Sequence, residues 1–482
     1  IGGLFYIKGV IAFTESKLAV VVFYYIFLFF IANRLCLCKF ISKFNPISMI
    51  IDFKVSNFRS LKNEVDFTLK ADSLKSKSDN TFNVELVNDI NINLLKTAVI
   101  YGANASGKSN FIKAFLAFVW LVRNSSKFEI DLNRINCYEP FELDVNYENA
   151  PSIFKIDFIL NNVKYHYSVS YTKNEIIEEI LDSAPKGQMA NLYTRKKTED
   201  LEYDIIDFGK KLVDRRIPRK IFKNQLYISK FGVDYPHEQL TKVYQYFANI
   251  NVWNAADKFT ISDLSKEISE LISQSENTKL KNRLSKLIRI SDTKIEEIDS
   301  KELKREDFQI TDQLPKEIVD KFYESNKIRT FSYHKQYDNE KFVKIKEFDF
   351  NKKESTGTKV LFALGGKILQ ALESGGIIVF DELDNSLHPK LCKFLIRLFN
   401  SKISNPKNAQ LIFATHEVTL LDKDVFRKDQ IWFAEKNKYG VTDIFCANEF
   451  EGLRDDTNFE LWYRTGKFGG NPKIKEVEFI YQ

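Results

Sequence analysis

Gly102-Ala-Asn-Ala-Ser-Gly-Lys-Ser109 is the stretch on which the reading of this 482-residue chain turns. It fits the pattern G-x-x-x-x-G-K-[ST], and its flanks have the periodicity that the pattern requires. Thr97–Tyr101 is a short buried-strand run, and Asn110–Arg123 carries Phe111, Ile112, Phe115, Phe118, Val119 and Val122 at helical spacing. A glycine-bearing loop between such a strand and such a helix lets backbone N–H groups approach phosphate oxygens, and the helix N-terminus adds partial positive charge. Gly102, Asn104, Ala105, Ser106, Gly107 and Asn110 are therefore candidate nucleotide-binding positions. Lys108 is expected to reach the β- and γ-phosphates of ATP, and the Ser109 hydroxyl to ligate Mg2+.

Working outward, Ile377-Ile-Val-Phe380 is another buried-strand run, and it ends in Asp381-Glu382. A capped strand end needs one polar residue, so a second acid asks for a chemical role. Asp381 is the expected Mg2+ partner of Ser109, and Glu382 the general base that polarises the attacking water. Leu411-Ile-Phe-Ala-Thr415-His416 repeats the pattern of a buried strand ending in polar residues. It lies one strand–helix–strand step after Glu382, and His416 reads as a sensor of the γ-phosphate. Glu354-Ser355-Thr356-Gly357-Thr358 opens an amphipathic helix that ends near Gly375. It is either an ordinary N-cap or a second phosphate clamp offered to a neighbouring subunit. Its place one helix before the Asp381 strand favours the clamp.

In this order, the phosphate loop, the Ser355–Gly357 helix start, the acid pair with Leu383-Asp384 and the terminal His416 resemble the ABC-type ATPases. The resemblance implies an α/β P-loop NTPase of ABC-ATPase head type, with an N-terminal β-rich lobe and an inserted helical subdomain. It implies a D-loop role at Asp384, and an ATP sandwich in which Ser355, Thr356 and Gly357 of one copy face Lys108 of another. Asn57-Phe58-Arg59-Ser60 is similar to the SMC, RecF and OLD branch, where the arginine approaches the nucleotide, so Arg59 takes that expectation. Further segments resemble the stand-alone AAA-type ATP-binding proteins of bacterial defence operons, a neighbourhood that includes abortive-infection ATPases and the ATPase subunit of the PARIS system. They are Tyr138-Glu-Pro-Phe-Glu-Leu-Asp144, Asp381-Glu-Leu-Asp-Asn-Ser-Leu-His-Pro389, Gln410–His416, Asp429-Gln-Ile-Trp-Phe433 and Gly466-Lys-Phe-Gly469. Two departures stand out. The signature reads Ser-Thr-Gly-Thr where transporters and SMC proteins have Ser-Gly-Gly, and no Q-loop glutamine can be placed.

Residues 1–48 differ from the rest. Leu18–Ala32 (LAVVVFYYIFLFFIA) is unbroken apolar sequence, shorter than the about 20 residues that span a bilayer. Met49 stands before a strand-like segment, and residues 1–48 read as translated AT-rich upstream DNA in preference to a membrane anchor. Without them the chain holds 66 basic and 64 acidic residues, a net +2 in place of +6. That balance gives no support to nucleic-acid binding. Cys36, Cys38, Cys137, Cys392 and Cys446 are few, scattered and odd in number, which argues against a disulfide framework and for the reducing cytoplasm.

The expected domains are 49–175, a lobe carrying the phosphate loop; 176–328, an inserted β/helical subdomain; 329–450, a lobe carrying signature, acids and histidine; and a tail, 451–482. Apolar stripes at Leu264, Ile268, Leu271, Ile272 and at Leu280, Leu284, Leu287, Ile288 point to a compact helical insertion, since neither lasts long enough for an extended coiled coil. The 66 residues after His416 are too few for an appended nuclease, so an effector nuclease is expected on another chain. The leading expectation is a nucleotide-driven switch in antiphage defence, acting as a homodimer or higher homo-oligomer with a separate effector. The alternative is a DNA-repair or DNA-binding ATPase of RecF/SMC kind, against which the charge weighs. A transporter subunit is suggested only by Leu18–Ala32.

Overall fold

The computed structural model describes residues 48–87, 90–128, 134–199, 202–291, 293–308, 315–454 and 456–469. Leu18–Ala32, Cys36 and Cys38 lie outside them. Among the described residues, no helix is long and apolar enough to cross a membrane, and Cys137, Cys392 and Cys446 are free thiols.

The described residues begin with the largely buried β1 (Ser48–Ser56) and then β2 (Val65–Thr68), paired antiparallel with Phe53 opposite Phe67. A small hairpin, β3 (Thr81–Glu85) and β4 (Asn91–Leu95), follows. Next come β5 (Thr97–Tyr101), buried along its whole length, and α1 (Lys108–Asn124). β6 (Ser152–Leu160) and β7 (Val163–Tyr171) form a hairpin across Asn161 and Asn162, whose φ of 53° and 61° suit a two-residue primed turn. β8 (Ile176–Ser183), β9 (Ala190–Lys196), β10 (Tyr203–Phe208) and β11 (Lys220–Phe222) extend the same antiparallel sheet to eight strands, in the order β11-β10-β9-β8-β7-β6-β1-β2. The boundary expected at 175/176 thus falls inside one sheet, with Val169 of β7 opposite Glu179 of β8. A four-residue turn between paired strands carries the polar composition of a linker without separating domains.

The chain continues through α2 (Tyr227–Val233), α3 (Glu238–Ala248) and β12 (Asn251–Asn254), then α4 (Lys258–Ile272) and α5 (Thr278–Ile290). β13 (Glu297–Glu302), α6 (Lys316–Asn326), β14 (Ile328–Asp338) and β15 (Lys341–Asp349) come next, the three strands forming a sheet β13-β14-β15. After one helical turn the chain forms α7 (Thr356–Ser374), β16 (Ile377–Asp381), α8 (Pro389–Asn400), β17 (Gln410–Ala414), β18 (Ile431–Lys436), β19 (Thr442–Cys446) and α9 (Phe459–Arg464).

The central sheet runs β12-β16-β17-β5-β18-β19, parallel except for β19. β12 is a second departure from the expected domains. It lies within 176–328 yet forms an edge of the central sheet, with Asn254 opposite Asp381.

Both faces of the central sheet are covered, which is why its strands read as continuous apolar runs. Alternate residues feed two cores. Ala98, Ile100, Ile377, Val379, Ile412 and Ala414 face the core shared with α1 and the eight-stranded sheet. Val99, Tyr101, Ile378, Phe380, Leu411 and Phe413 face the core built with α4, α5, α7 and α8. α1 is the filler between the two sheets: Phe115 stacks on Phe53 with ring centroids 3.8 Å apart, and Phe111 packs edge-on to Phe53 at 6.0 Å. Truncating Phe115 to alanine there should cost about 3–5 kcal/mol. The apolar stripes of α4 and α5 bury Leu264, Ile268 and Ile272, and Leu280, Leu284, Leu287 and Ile288, against this second core.

Candidate functional site

The parallel register decides where the polar residues emerge. Phe380 pairs with Phe413, and Phe413 with Val99, so β16, β17 and β5 end level with one another. Asp381-Glu382, Thr415-His416 and Gly102 all leave from this carboxyl edge, where α/β sheets place their ligands.

The loop between β5 and α1 is held open and close-fitting. Gly107 has φ 110°, and a Cβ there would collide with the Thr442 side chain. A Cβ on Gly102 would sit 2.5 Å from both the Ala434 carbonyl and Ser106 Oγ. Asn104 and Ala105 are exposed at the tip, and Ala105 also has a positive φ of 63°. Lys108 is buried and spends two of its three N–H donors on the loop itself, at 2.7 Å to the Gly102 carbonyl and 3.0 Å to that of Ala103. Burial pulls its pKa down, against the favourable fields of Asp381, Glu382 and Asp384.

Asp381 is buried at the end of β16. Burial pushes its carboxyl above the usual range, while a hydrogen bond from Ser109 and the charge of Lys108 act in the opposite direction. Asp381 Oδ1 and Ser106 Oγ are buried polar atoms without a protein partner. A carboxylate, a hydroxyl and a lysine converging on unfilled hydrogen-bonding capacity fit an oxygen-rich anion with a hard cation. Glu382 is half-buried and takes φ 53°, an uncommon conformation for a non-glycine residue. Asp384 is buried; its Oδ2 lies 3.6 Å from His416 Nδ1, and its Oδ1 has no protein partner.

The remaining expected residues lie differently. His416 falls two residues beyond the end of β17, and its side chain is 56% exposed. Ser355 is the N-cap of α7, its Oγ accepting from Thr358 N at 3.2 Å, and both Ser355 and Thr356 are exposed. At Gly357 a Cβ would meet the Ser386 carbonyl at 2.9 Å, so the start of α7 rests on the turn that follows the acid pair of the same chain. Arg59, at φ 50°, pairs with Glu139. The expectation that it approaches the nucleotide therefore meets an arginine already engaged by a carboxylate 80 positions away.

Two residues outside the expected set support the loop. Thr442 Oγ1 lies 2.8 Å from both Ser60 Oγ and the Ser106 carbonyl, and Thr442 N donates to the Ser60 carbonyl at 2.8 Å. Asn110 Nδ2 donates to Ser60 Oγ at 2.7 Å. Ser60 follows the Asn57–Arg59 string, but nothing local marks Thr442, which starts an edge strand.

Residues 98–422 match the family described as "AAA domain, putative AbiEii toxin, Type IV TA system", and the chain belongs to this family of AAA-domain proteins. No curated protein matches the chain. Among solved structures it is similar to an SMC head bound to the C-winged helix domain of ScpA, with 14% identity, TM-score 0.41 and coverage of 82% of this chain and 97% of that one. It is also similar to the SMC head domain from Thermotoga maritima, at 12% identity and TM-score 0.37 over 82% and 98% of the two chains. A third similar structure is the SMC head with an extended coiled coil bound to the C-terminal domain of ScpA derived from Pyrococcus furiosus, at 13% identity and TM-score 0.40 over 83% and 96%.

Proposed function

We propose that the chain binds and hydrolyses ATP as a nucleotide-dependent switch. Its closed state is a homodimer or higher homo-oligomer, and in bacterial antiphage defence it controls a separate effector protein, a nuclease being one fitting kind. The observation that carries the reading is the meeting of Lys108, Ser109, Asp381 and Glu382 at one sheet edge, beside buried and unpartnered Asp381 Oδ1 and Ser106 Oγ.

In this reading Lys108 exchanges the Gly102 and Ala103 carbonyls for β- and γ-phosphate oxygens. Ser109 and Asp381 would hold Mg2+, which when bound would neutralise phosphate charge. Glu382 orients the attacking water and takes its proton. His416 faces the γ-phosphate, with Asp384 orienting its ring. Ser355 and Thr356, which are exposed, and Gly357 beside them serve the site of a second copy.

The defence role draws support from the family description, which names a toxin of a type IV system. The near-neutral balance of residues 49–482 weighs against the DNA-repair alternative. Phosphate release with Mg2+ and ATP tests the first part: release that survives unchanged in Lys108→Ala contradicts it. Phage plating on cells carrying this gene with its operon neighbour tests the second, with protection expected from the wild type and lost in Lys108→Ala. Tight, salt-sensitive DNA binding would instead favour the DNA-repair reading.

A further inference from the structure

Resting on that reading, we propose that the β14–β15 hairpin of one copy docks on the loop formed by residues 139–150 of the other, and that this contact aligns the two copies in the ATP-bound dimer.

The loop is rigid and presents apolar side chains to solvent. Phe141 N donates to Asn57 Oδ1 at 2.9 Å, Asn57 Nδ2 donates to the Ala150 carbonyl at 2.7 Å, and Arg59 N donates to the Glu139 carbonyl at 2.6 Å. Lys62 pairs with Asp144 at 2.6 Å and lies 4.6 Å from the centre of the Tyr147 ring. Asn57 and Arg59 both sit at φ 50° to make these bonds. On this frame Leu143 and Val145 are 73% and 80% exposed, and Leu143 rests against Gly440, two residues before the Thr442 that holds the phosphate loop. An anchored loop that exposes two large aliphatic side chains beside a ligand site has the character of a docking surface. Its acids Glu139 and Asp144 are paired to Arg59 and Lys62, while Glu142 and Glu148 are exposed.

The hairpin is its complement. Asn339 and Glu340 form a tight turn at φ 45° and 68°, and β15 is an edge strand exposed from Lys341 to Glu347. Lysines alone protect such an edge from pairing. Here Lys341, Lys344 and Lys346 are interleaved with Phe342 and Val343, 57% and 54% exposed, and with Ile345. Glu347 is paired with Lys301, and Asp349 caps the turn that follows, so the outward charge of the strand is positive. A basic and apolar strand therefore matches an acidic and apolar loop. β15 leads within six residues to Ser355, and the loop adjoins the phosphate cradle, so bringing Ser355 of one copy to Lys108 of the other brings both surfaces into one interface.

A charge-swap experiment in the Glu382→Gln background tests this. One variant carries Glu142→Lys and Glu148→Lys, the other Lys344→Glu and Lys346→Glu. Each alone sets like charges together at both contacts of the dimer and should raise its Kd with ATP by about tenfold or more. Mixing the two creates a heterodimer with opposite charges at both contacts, and assembly should recover to the parent level. Added salt should narrow all these differences. If each variant dimerises with ATP as well as the parent, or the mixture fails to recover, the docking proposal falls while the switch stands. If the Glu382→Gln parent itself never dimerises with ATP, the sandwich falls first and the docking proposal with it.

Discussion

The two halves of the candidate site are built to opposite plans. Lys108 and Asp381 are buried, close to each other's charge, and held by the chain's own carbonyls and hydroxyls. Ser355 and Thr356 are open to solvent, and His416 is more than half exposed. Cradling a phosphate chain requires donors fixed before the ligand arrives, because reorganisation at binding would consume the affinity they provide. A surface that must meet another molecule requires the reverse, polar groups left uncovered until the partner supplies the burial. In the proposed reading one half is the receptor for the phosphates and the other is half of an interface.

Perturbing the buried half should have the largest effect. Lys108→Ala removes the cation that the proposed function assigns to the β/γ position, and kcat/KM for ATP should fall about 10³-fold, with ATP binding lost and the circular dichroism spectrum unchanged. Normal nucleotide affinity in that variant would remove the receptor side of the comparison. Glu382→Gln keeps shape but cannot accept a proton. Turnover should fall about 10²-fold with ATP affinity retained, which steady-state rates and equilibrium binding separate. Thr442→Val should act less strongly, because it loosens the cradle without touching phosphate. A rise of about tenfold in KM with kcat little changed is expected from losing its hydrogen bonds to Ser60 and Ser106.

The smallest effect is on stability, and it runs opposite to function. Burial raises the pKa of Asp381 in the folded chain above that of an ordinary aspartate. The unfolded chain therefore releases this proton first, and stability is lost as pH rises from the ordinary carboxylate range through the raised folded pKa. Asp381→Asn removes the charge and should melt higher than the wild type at pH 7 without nucleotide, while Mg2+-dependent turnover is abolished. A lower melting temperature would mean that the Ser109 hydrogen bond outweighs the burial cost.

What could be read from the sequence follows the same division. The phosphate loop, Asp381-Glu382 and Thr415-His416 are contiguous strings at the ends of apolar runs, so periodicity alone locates them, and the parallel register then brings them to one edge. The stripes of α4 and α5 are equally local. β12 was not legible, because Asn251-Val-Trp-Asn254 has only two apolar residues and becomes a strand through its pairing with β16. Nor was the extent of the eight-stranded sheet, which depends on pairings across polar turns. Thr442 and the Arg59–Glu139 pair escape for the same reason: their partners are distant in the chain, and a single sequence carries no record of who meets whom.

The claim that one half of the site waits for another copy is tested most directly by sedimentation of Glu382→Gln with and without saturating ATP and Mg2+. With turnover slowed about 10²-fold in this variant, the closed state should accumulate. The account predicts the monomer mass without ATP and twice that mass with it, and loss of the gain when Ser355→Arg is added, because a bulky cation would then occupy the facing phosphate position. An unchanged mass with saturating ATP would contradict the sandwich and leave a nucleotide switch that works within a fixed oligomer.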